Sequence, residues 1–223
     1  MRKIDLNPDQ IVAGSLNAGV SSGTCILDSC GTLHRGSQRL LAGVLPLETF
    51  EITNRDADET LLFIDEILTG DKAAIFSISY DFGRKLERIG DESVSIEPDI
   101  FVALFDSLLI HDYRQSETIF AGNPKSFDKV RDIVNDNPLC SDERISAVGN
   151  VKSNFTRAEY LNVVEVIKES IRSGDTYQAN LTQQISVDLP KGFDPAQAFM
   201  RIRAAYPAPF AARHRSATGP AWP

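Results

Sequence analysis

The sequence predicts an α+β fold with largely antiparallel sheets. Three observations predict it. Strand-like and helix-like stretches come in groups rather than in regular alternation, which favours antiparallel sheets with segregated helices. The apolar stretch Phe101–Asp112 is followed by Ser116–Ala121 across a polar turn near Arg114, the pattern of an antiparallel pair. Hydrophobic residues make up 42% of 223 residues, enough for a real core and suited to one large domain or two small ones. No internal repeat is present.

Charge and cysteine usage exclude several classes. Lys and Arg number 23, Asp and Glu 31, and the net charge is −8. Such a chain repels phosphate backbones, so no nucleic-acid partner is expected. No apolar run approaches the roughly 18 residues that span a bilayer, and the opening MRKIDLNPDQ is too polar for a signal peptide. The expectation is a cytoplasmic protein without a membrane partner. The cysteines are Cys25, Cys30 and Cys140, an odd set with no CxxC pair, which fits neither a disulfide framework nor a zinc site. Cys25 lies in an apolar run and reads as a small core residue. A catalytic thiol would need a base, and only His34 is near in sequence.

Taken in order, Ile11–Ala13, Thr24–Leu27 and Leu40–Val44 read as short strands, the last closed by Pro46. Ala57–Thr69 reads as a helix with Leu61, Ile64 and Leu68 on one face and Gly70 as its stop. Asp56, Asp58 and Glu59 at its start suit the helix macrodipole rather than a metal. Ala73–Tyr80 is a strand buried on one face. After the Phe101–Asp112 and Ser116–Ala121 pair, Lys125–Asn135 is a polar helix with Phe127, Val130 and Val134 on one stripe, and Asp128, Asp132 and Asp136 on a solvated face. His111 ends an apolar strand and reads as structural.

Leu139–Asn154 has no clear period, and the domain boundary is placed there, dividing 1–150 from 151–212. Thr156 and Glu159 then form a capping-box pattern, each side chain meeting the other's orphan N–H. Phe155 and Tyr160 supply a hydrophobic staple. Tyr160, Val164, Ile167 and Ile171 repeat at helical spacing up to Gly174. Thr176–Val187 reads as a strand. Asp194 and Pro195 open a last helix with Phe199, Ile202 and Tyr206 on its inner face. Residues 213–223, RHRSATGPAWP, form a divergent tail with no acids and no apolar period.

Three groups of residues carry a specific resemblance. The first is Gly174-Asp175-Thr176-Tyr177-Gln178-Ala179-Asn180-Leu181-Thr182-Gln183. The second is Tyr80, Asp81, Arg84 and Glu87, a Tyr-Asp-x-x-Arg-x-x-Glu pattern after a strand. The third pairs Leu27-Asp28-Ser29 with Pro207-Ala208-Pro209-Phe210. Together they resemble the component I enzymes of the chorismate-binding family, aminodeoxychorismate synthase and its relative anthranilate synthase. The resemblance spans most of residues 20–212. Gly83 resembles the aminodeoxychorismate branch, since anthranilate enzymes tend to carry a larger residue there.

Local chemistry offers plainer roles beside the family ones. Arg84 can pair with Asp81 or Glu87 across one helical turn. Tyr177 and Gln178 can bond a neighbouring loop or a substrate. The plainer reading of the Ser29 and Pro207–Phe210 segments is a loop packed on a core; as a ligand site, Ser29 can bind an amino-acid carboxylate or ammonium, while Pro209 and Phe210 offer flat apolar contact to an indole.

The resemblance implies an α+β fold like that of anthranilate synthase component I: layered antiparallel sheets with outer helices, here incomplete. It implies conversion of chorismate and ammonia to 4-amino-4-deoxychorismate, on the path to 4-aminobenzoate and folate, with a glutamine amidotransferase partner supplying ammonia. Mg²⁺ belongs to the complete family enzyme, and none is expected on this chain. It also implies a tryptophan-type pocket of Ser29, Gly36, Ser37, Gln38, Arg39, Pro209, Phe210 and Ala211. Two positions depart from the family pattern: an aromatic is common where Gly36 stands, and Tyr206 replaces the usual Asn. The family's acid/base Glu, its reactive Lys in a Pro-Ile-Lys-Gly-Thr segment and its metal-binding Glu residues follow the part matched here. No Pro-Ile-Lys-Gly-Thr or Ser-Pro-Glu segment occurs in the sequence. No catalytic or metal residue is therefore assigned, and the chain is expected to be an N-terminal part, inactive alone, with 151–212 opening the chorismate-binding domain. The alternatives are the anthranilate branch and a non-catalytic module that binds tryptophan or docks the amidotransferase.

Overall fold

The computed structural model describes residues 1–17, 23–34, 38–53, 55–89, 98–136 and 149–214. The chain divides into two units, Met1–Ser141 with Pro195–Pro223, and Asp142–Asp194.

In the first unit, two antiparallel sheets form successive layers. The larger contains β1 (Arg2–Lys3), β2 (Cys25–Asp28), β3 (Arg39–Gly43), β7 (Ser107–Asp112), β8 (Glu117–Gly122) and β11 (Ala211–His214), in the order β1-β8-β7-β3-β2-β11. The smaller contains β4 (Glu48–Ile52), β5 (Ala73–Ile78) and β6 (Ile100–Phe105), with β6 in the centre. The pairing directions make both sheets antiparallel throughout. On the outer face of the large sheet lie α1 (Pro8–Asn17), α4 (Phe127–Asn135) and α6 (Pro195–Ala205), packed through Ile11, Val12, Val130, Val134 and Phe199 onto Ile26, Leu40 and Leu109. The layered antiparallel arrangement with outer helices is the one expected from the sequence.

The continuous apolar run at residues 100–105 follows from the position of β6. Phe101, Ala103 and Phe105 cluster with Cys25 of the large sheet, while Ile100, Val102 and Leu104 cluster with Phe82 and Ile52 on the opposite face. A strand covered on both faces has no polar side to show. The outer cover of the small sheet comes from α2 (Ala57–Ile67) and α3 (Tyr80–Leu86).

Several sequence expectations are corrected. Ile11–Ala13 is helical, not a strand. Asn7 caps α1 reciprocally: its side chain accepts the Gln10 N–H at 2.9 Å and its N–H donates to Gln10 Oε1 at 2.9 Å, with Pro8 at the first helical position. Phe101–Asp112 is two strands in two sheets. They part at Asp106, whose carboxylate accepts from Ser107, Asn123 and Ser126. In α2 the inward residues are Thr60, Phe63, Ile64 and Ile67, whereas Leu61 and Leu68 are exposed. The α6 face that packs carries Ala196, Ala198 and Phe199, while Ile202 and Tyr206 point to solvent. The strand expected over Ala73–Tyr80 stops at Ile78, and residues 80–86 form a helix, with Ser79 capping Phe82 N–H at 3.1 Å.

The second unit pairs β9 (Val151–Ser153) with β10 (Ile185–Val187) beside α5 (Arg157–Ser173). Thr156 and Glu159 make the expected capping box, Phe155 and Tyr160 meet edge-on at 6.0 Å, and Gly174 ends the helix at φ 82°. The strand expected over Thr176–Val187 is confined to its last three residues. Among the described residues of this unit none is buried.

Candidate functional site

Two segments far apart in sequence meet at one edge of the large sheet. β11 pairs with β2 so that Ala211 faces Asp28 and Ala212 faces Leu27. Phe210 and Pro209 precede β11 and Ser29 and Cys30 follow β2, so the two segments leave the sheet at the same end. The Ala208 N–H reaches the Cys30 sulfur.

A tight turn leaves β2 at this point. The Ser29 N–H donates to Arg39 O at 3.1 Å, and the Ser29 carbonyl accepts Thr32 N–H at 2.9 Å and Thr32 Oγ1 at 2.8 Å. Cys30 and Gly31 follow in the left-handed region, at φ 50° and 66°. A Cβ at Gly31 would stand 3.3 Å from the Tyr113 ring, so glycine suits both the conformation and the contact. The Ser29 hydroxyl is buried and has no hydrogen-bond partner among the described residues.

Behind the turn lies a network of charge. Asp28, 2% exposed, accepts Arg203 Nε at 2.6 Å on Oδ2, and Tyr113 OH and Cys30 N–H, both at 2.8 Å, on Oδ1. Arg203 also donates to Tyr113 OH at 3.1 Å and to Asp9 Oδ1 at 2.5 Å. Burial opposes the Arg203 charge, but the bonds to Asp28 and Asp9 outweigh it and hold the guanidinium above its ordinary range. Burial, then the bond to Asp28 and its charge, push the Tyr113 phenol well up. Burial also raises the Cys30 thiol, against the Ala208 N–H, which lowers it.

The other expected pocket residues are engaged locally. The Gln38 carbonyl accepts Tyr113 N–H at 3.0 Å and its side chain accepts from Arg114. Arg39 opens β3 and its Nε lies 3.6 Å from Asp112. Phe210 is exposed and meets the His34 ring edge-on at 4.8 Å. Ala211 packs against the core. Gly36 and Ser37 lie outside the described residues, as do Cys140 and the tail from 215 onward.

Asp9, Tyr113 and Arg203 were not singled out from the sequence. One signal was available: Arg203 lies four residues after Phe199, one turn along the same helix face. An acidic residue closing the apolar run Cys25-Ile26-Leu27 was the other.

The remaining motifs are structural in their contacts. Arg84 lies 3.7 Å from Asp81 on α3. Lys85 anchors that helix by bonding both oxygens of buried Asp99, at 2.8 and 2.9 Å. Cys25 is buried and burial pushes its thiol up to about 12, leaving an inert core residue. His111 Nδ1 is 2.8 Å from Thr118 Oγ1. In the second unit, Tyr177 is exposed, while Gln183 Nε2 reaches Ser153 Oγ at 2.7 Å. Among the described residues no three His, Cys, Asp or Glu side chains converge as a Mg²⁺ site would require, so no step is derived through a metal. No described helix is long and apolar enough to cross a membrane.

The model of the chorismate binding enzyme family matches residues 29–219, and the chain belongs to that family. Among its relatives are the aminodeoxychorismate synthase component 1 of Streptomyces lividans, 32% identical over 148 residues, and that of Escherichia coli, 29% identical over 141. Each match covers 62% of this chain and 30% of the relative. Anthranilate synthase component 1 of Haloarcula marismortui is 25% identical over 205 residues, 76% of this chain and 41% of that protein. The crystal structure of anthranilate synthase component I from Streptococcus pneumoniae superposes with a TM-score of 0.57 at 17% identity, over 79% of this chain and 47% of that one, a likeness of fold. The chain thus spans less than half the length of these relatives.

Proposed function

We propose that these residues are the N-terminal part of an aminodeoxychorismate synthase component I, which aminates chorismate to 4-amino-4-deoxychorismate with ammonia from a glutamine amidotransferase partner. The relatives that carry this name support the branch, as does Gly83. Residues 1–150 act as the component I N-terminal domain and 151–212 open the chorismate-binding domain. The sequence holds none of the segments that carry the family's proton transfer, amine chemistry or Mg²⁺, so the chain alone does not turn over chorismate.

The role proposed for the described part is a tryptophan-type pocket at the edge of the large sheet. The observation that carries it is the β2–β11 register, in which Ala211 faces Asp28, so that the segments bearing Phe210 and Ser29 leave the sheet at the same end. An indole of roughly 200 Å² laid against Pro209 and Phe210 contributes on the order of 5 kcal/mol before entropic costs. The buried, unpartnered Ser29 hydroxyl offers a hydrogen bond to the amino-acid end. Calorimetric titration with tryptophan tests this reading. One-to-one binding that weakens in Ser29→Ala is expected, and a flat titration of the folded chain removes the pocket.

A further inference from the structure

We propose that Arg203 is a positioning residue: by tying α6 to Asp28 and Tyr113, it fixes how closely the Pro207–Ala211 segment stands against the Ser29 turn. The consequence for ligand binding rests on the tryptophan-pocket reading; the geometry stands without it.

Beyond the β2–β11 pairing, both walls of the site are tied to this one side chain. α6 ends at Ala205, and Pro207–Phe210 follow directly into β11. Asp28 is the residue immediately before Ser29. One oxygen of its carboxylate takes the guanidinium at 2.6 Å, and the other takes the Cys30 N–H and the Tyr113 hydroxyl. A shift of Arg203 is therefore passed through one carboxylate to the backbone of the turn. The Arg203 side chain is 11% exposed and that of Asp28 0%, so water cannot readily replace either partner. The planar guanidinium serves three acceptors in fixed directions: Asp28, Tyr113 and Asp9. A lysine ammonium is a single point charge and cannot span the same three. Gly31 adds a second link, because a Cβ there would stand only 3.3 Å from the ring of Tyr113, the network's middle member.

Cys30 reports on this arrangement, being partly exposed and in direct contact with both walls. The test compares the full chain with Arg203→Lys and with Tyr113→Phe, which keeps the ring against Gly31 and loses only the hydroxyl. Lys85→Met serves as control, because it breaks the Lys85–Asp99 ion pair on the small sheet instead. Iodoacetamide alkylation of Cys30 is followed by fragmentation mass spectrometry, and amide exchange is followed over 207–214. Both rates should rise by roughly fivefold or more in Arg203→Lys and Tyr113→Phe, as a loosening of one to two kcal/mol produces. Lys85→Met should leave both rates unchanged at a similar loss of melting temperature. The proposal is overturned if Cys30 and 207–214 keep wild-type rates in Tyr113→Phe and Arg203→Lys. It is equally overturned if Lys85→Met moves them as far, because the effect is then general destabilisation. Tryptophan affinity, measured in parallel, should fall in the two network variants. If wild type binds no tryptophan while the alkylation and exchange responses appear, the ligand reading fails and the positioning role stands.

Discussion

A buried hydroxyl without a partner costs stability, and that of Ser29 has none among the described residues. Ser29→Ala should leave the free chain as stable as wild type, or more stable by up to about 1 kcal/mol, while weakening tryptophan binding roughly tenfold. Paired urea titrations and calorimetry separate the two effects, and a loss of stability equal to the loss of affinity would show that the hydroxyl serves the fold. Arg203 behaves oppositely. Arg203→Met strands the Asp28 carboxylate in a dry site and should cost about 3–5 kcal/mol in urea unfolding. The histidines give a pH dependence. Burial is the largest influence on His111 and His214, and it lowers both below the ordinary 6.5. Around His111, Asp112 and Asp28 oppose the shift; around His214, Glu51 opposes it and Arg213 adds to it. The unfolded chain takes up these protons first as pH falls. The stability contributed by keeping the rings neutral is therefore present above about 6.5 and lost as pH drops towards the lowered folded values. The urea midpoint should decline from pH 7 to 5, and His111→Gln should flatten that decline.

Elements with reciprocal local signals were legible. The capping box, staple and glycine stop of α5, and the Phe127, Val130 and Val134 stripe of α4, stand where the sequence puts them. Thr156→Ala should fray α5 by about 1 kcal/mol, seen as faster amide exchange in its first turn. The errors arose where tertiary context decides. Ile11 and Val12 have strand propensity, yet the Asn7–Gln10 cap and Pro8 start a helix, and Gly14 lets it approach α4 so closely that a Cβ would lie 2.3 Å from Val134 O. No local signal marks Asp106 as the place where the chain changes sheets, because the apolar run continues on both sides. Gly122, at φ 131° and with Asp106 O 2.2 Å from where its Cβ would be, locks that corner. Gly122→Ala should cost more than about 1 kcal/mol. Gly83 is the contrast. It lies inside α3 with open space around it, so Gly83→Ala should stabilise the chain by about 0.5–1 kcal/mol. Both segments that meet at the β2–β11 edge were named from the sequence, but the Arg203 network was not, because its members come from four separate parts of the chain.

At the scale of the molecule, the first unit has a double-sided core around β6, whereas the described residues of the second include none that is buried. Tyr160, Val163, Val164 and Ile167 of α5 remain only half-covered. Phe76 and Ile78 are more than half exposed on β5, an outer strand of the small sheet. Exposed apolar faces and open strand edges favour association. The isolated chain should therefore self-associate in light scattering, and a monodisperse monomer with one sharp melt would contradict this. The proposed function places the family's chemistry outside these 223 residues and a ligand-binding scaffold within them. Incubation of the purified chain with chorismate, Mg²⁺ and ammonium, with chromatography of the products, tests it most directly. Unchanged chorismate beyond its spontaneous decay is expected. Steady formation of 4-amino-4-deoxychorismate or anthranilate at ordinary enzyme concentration would contradict it.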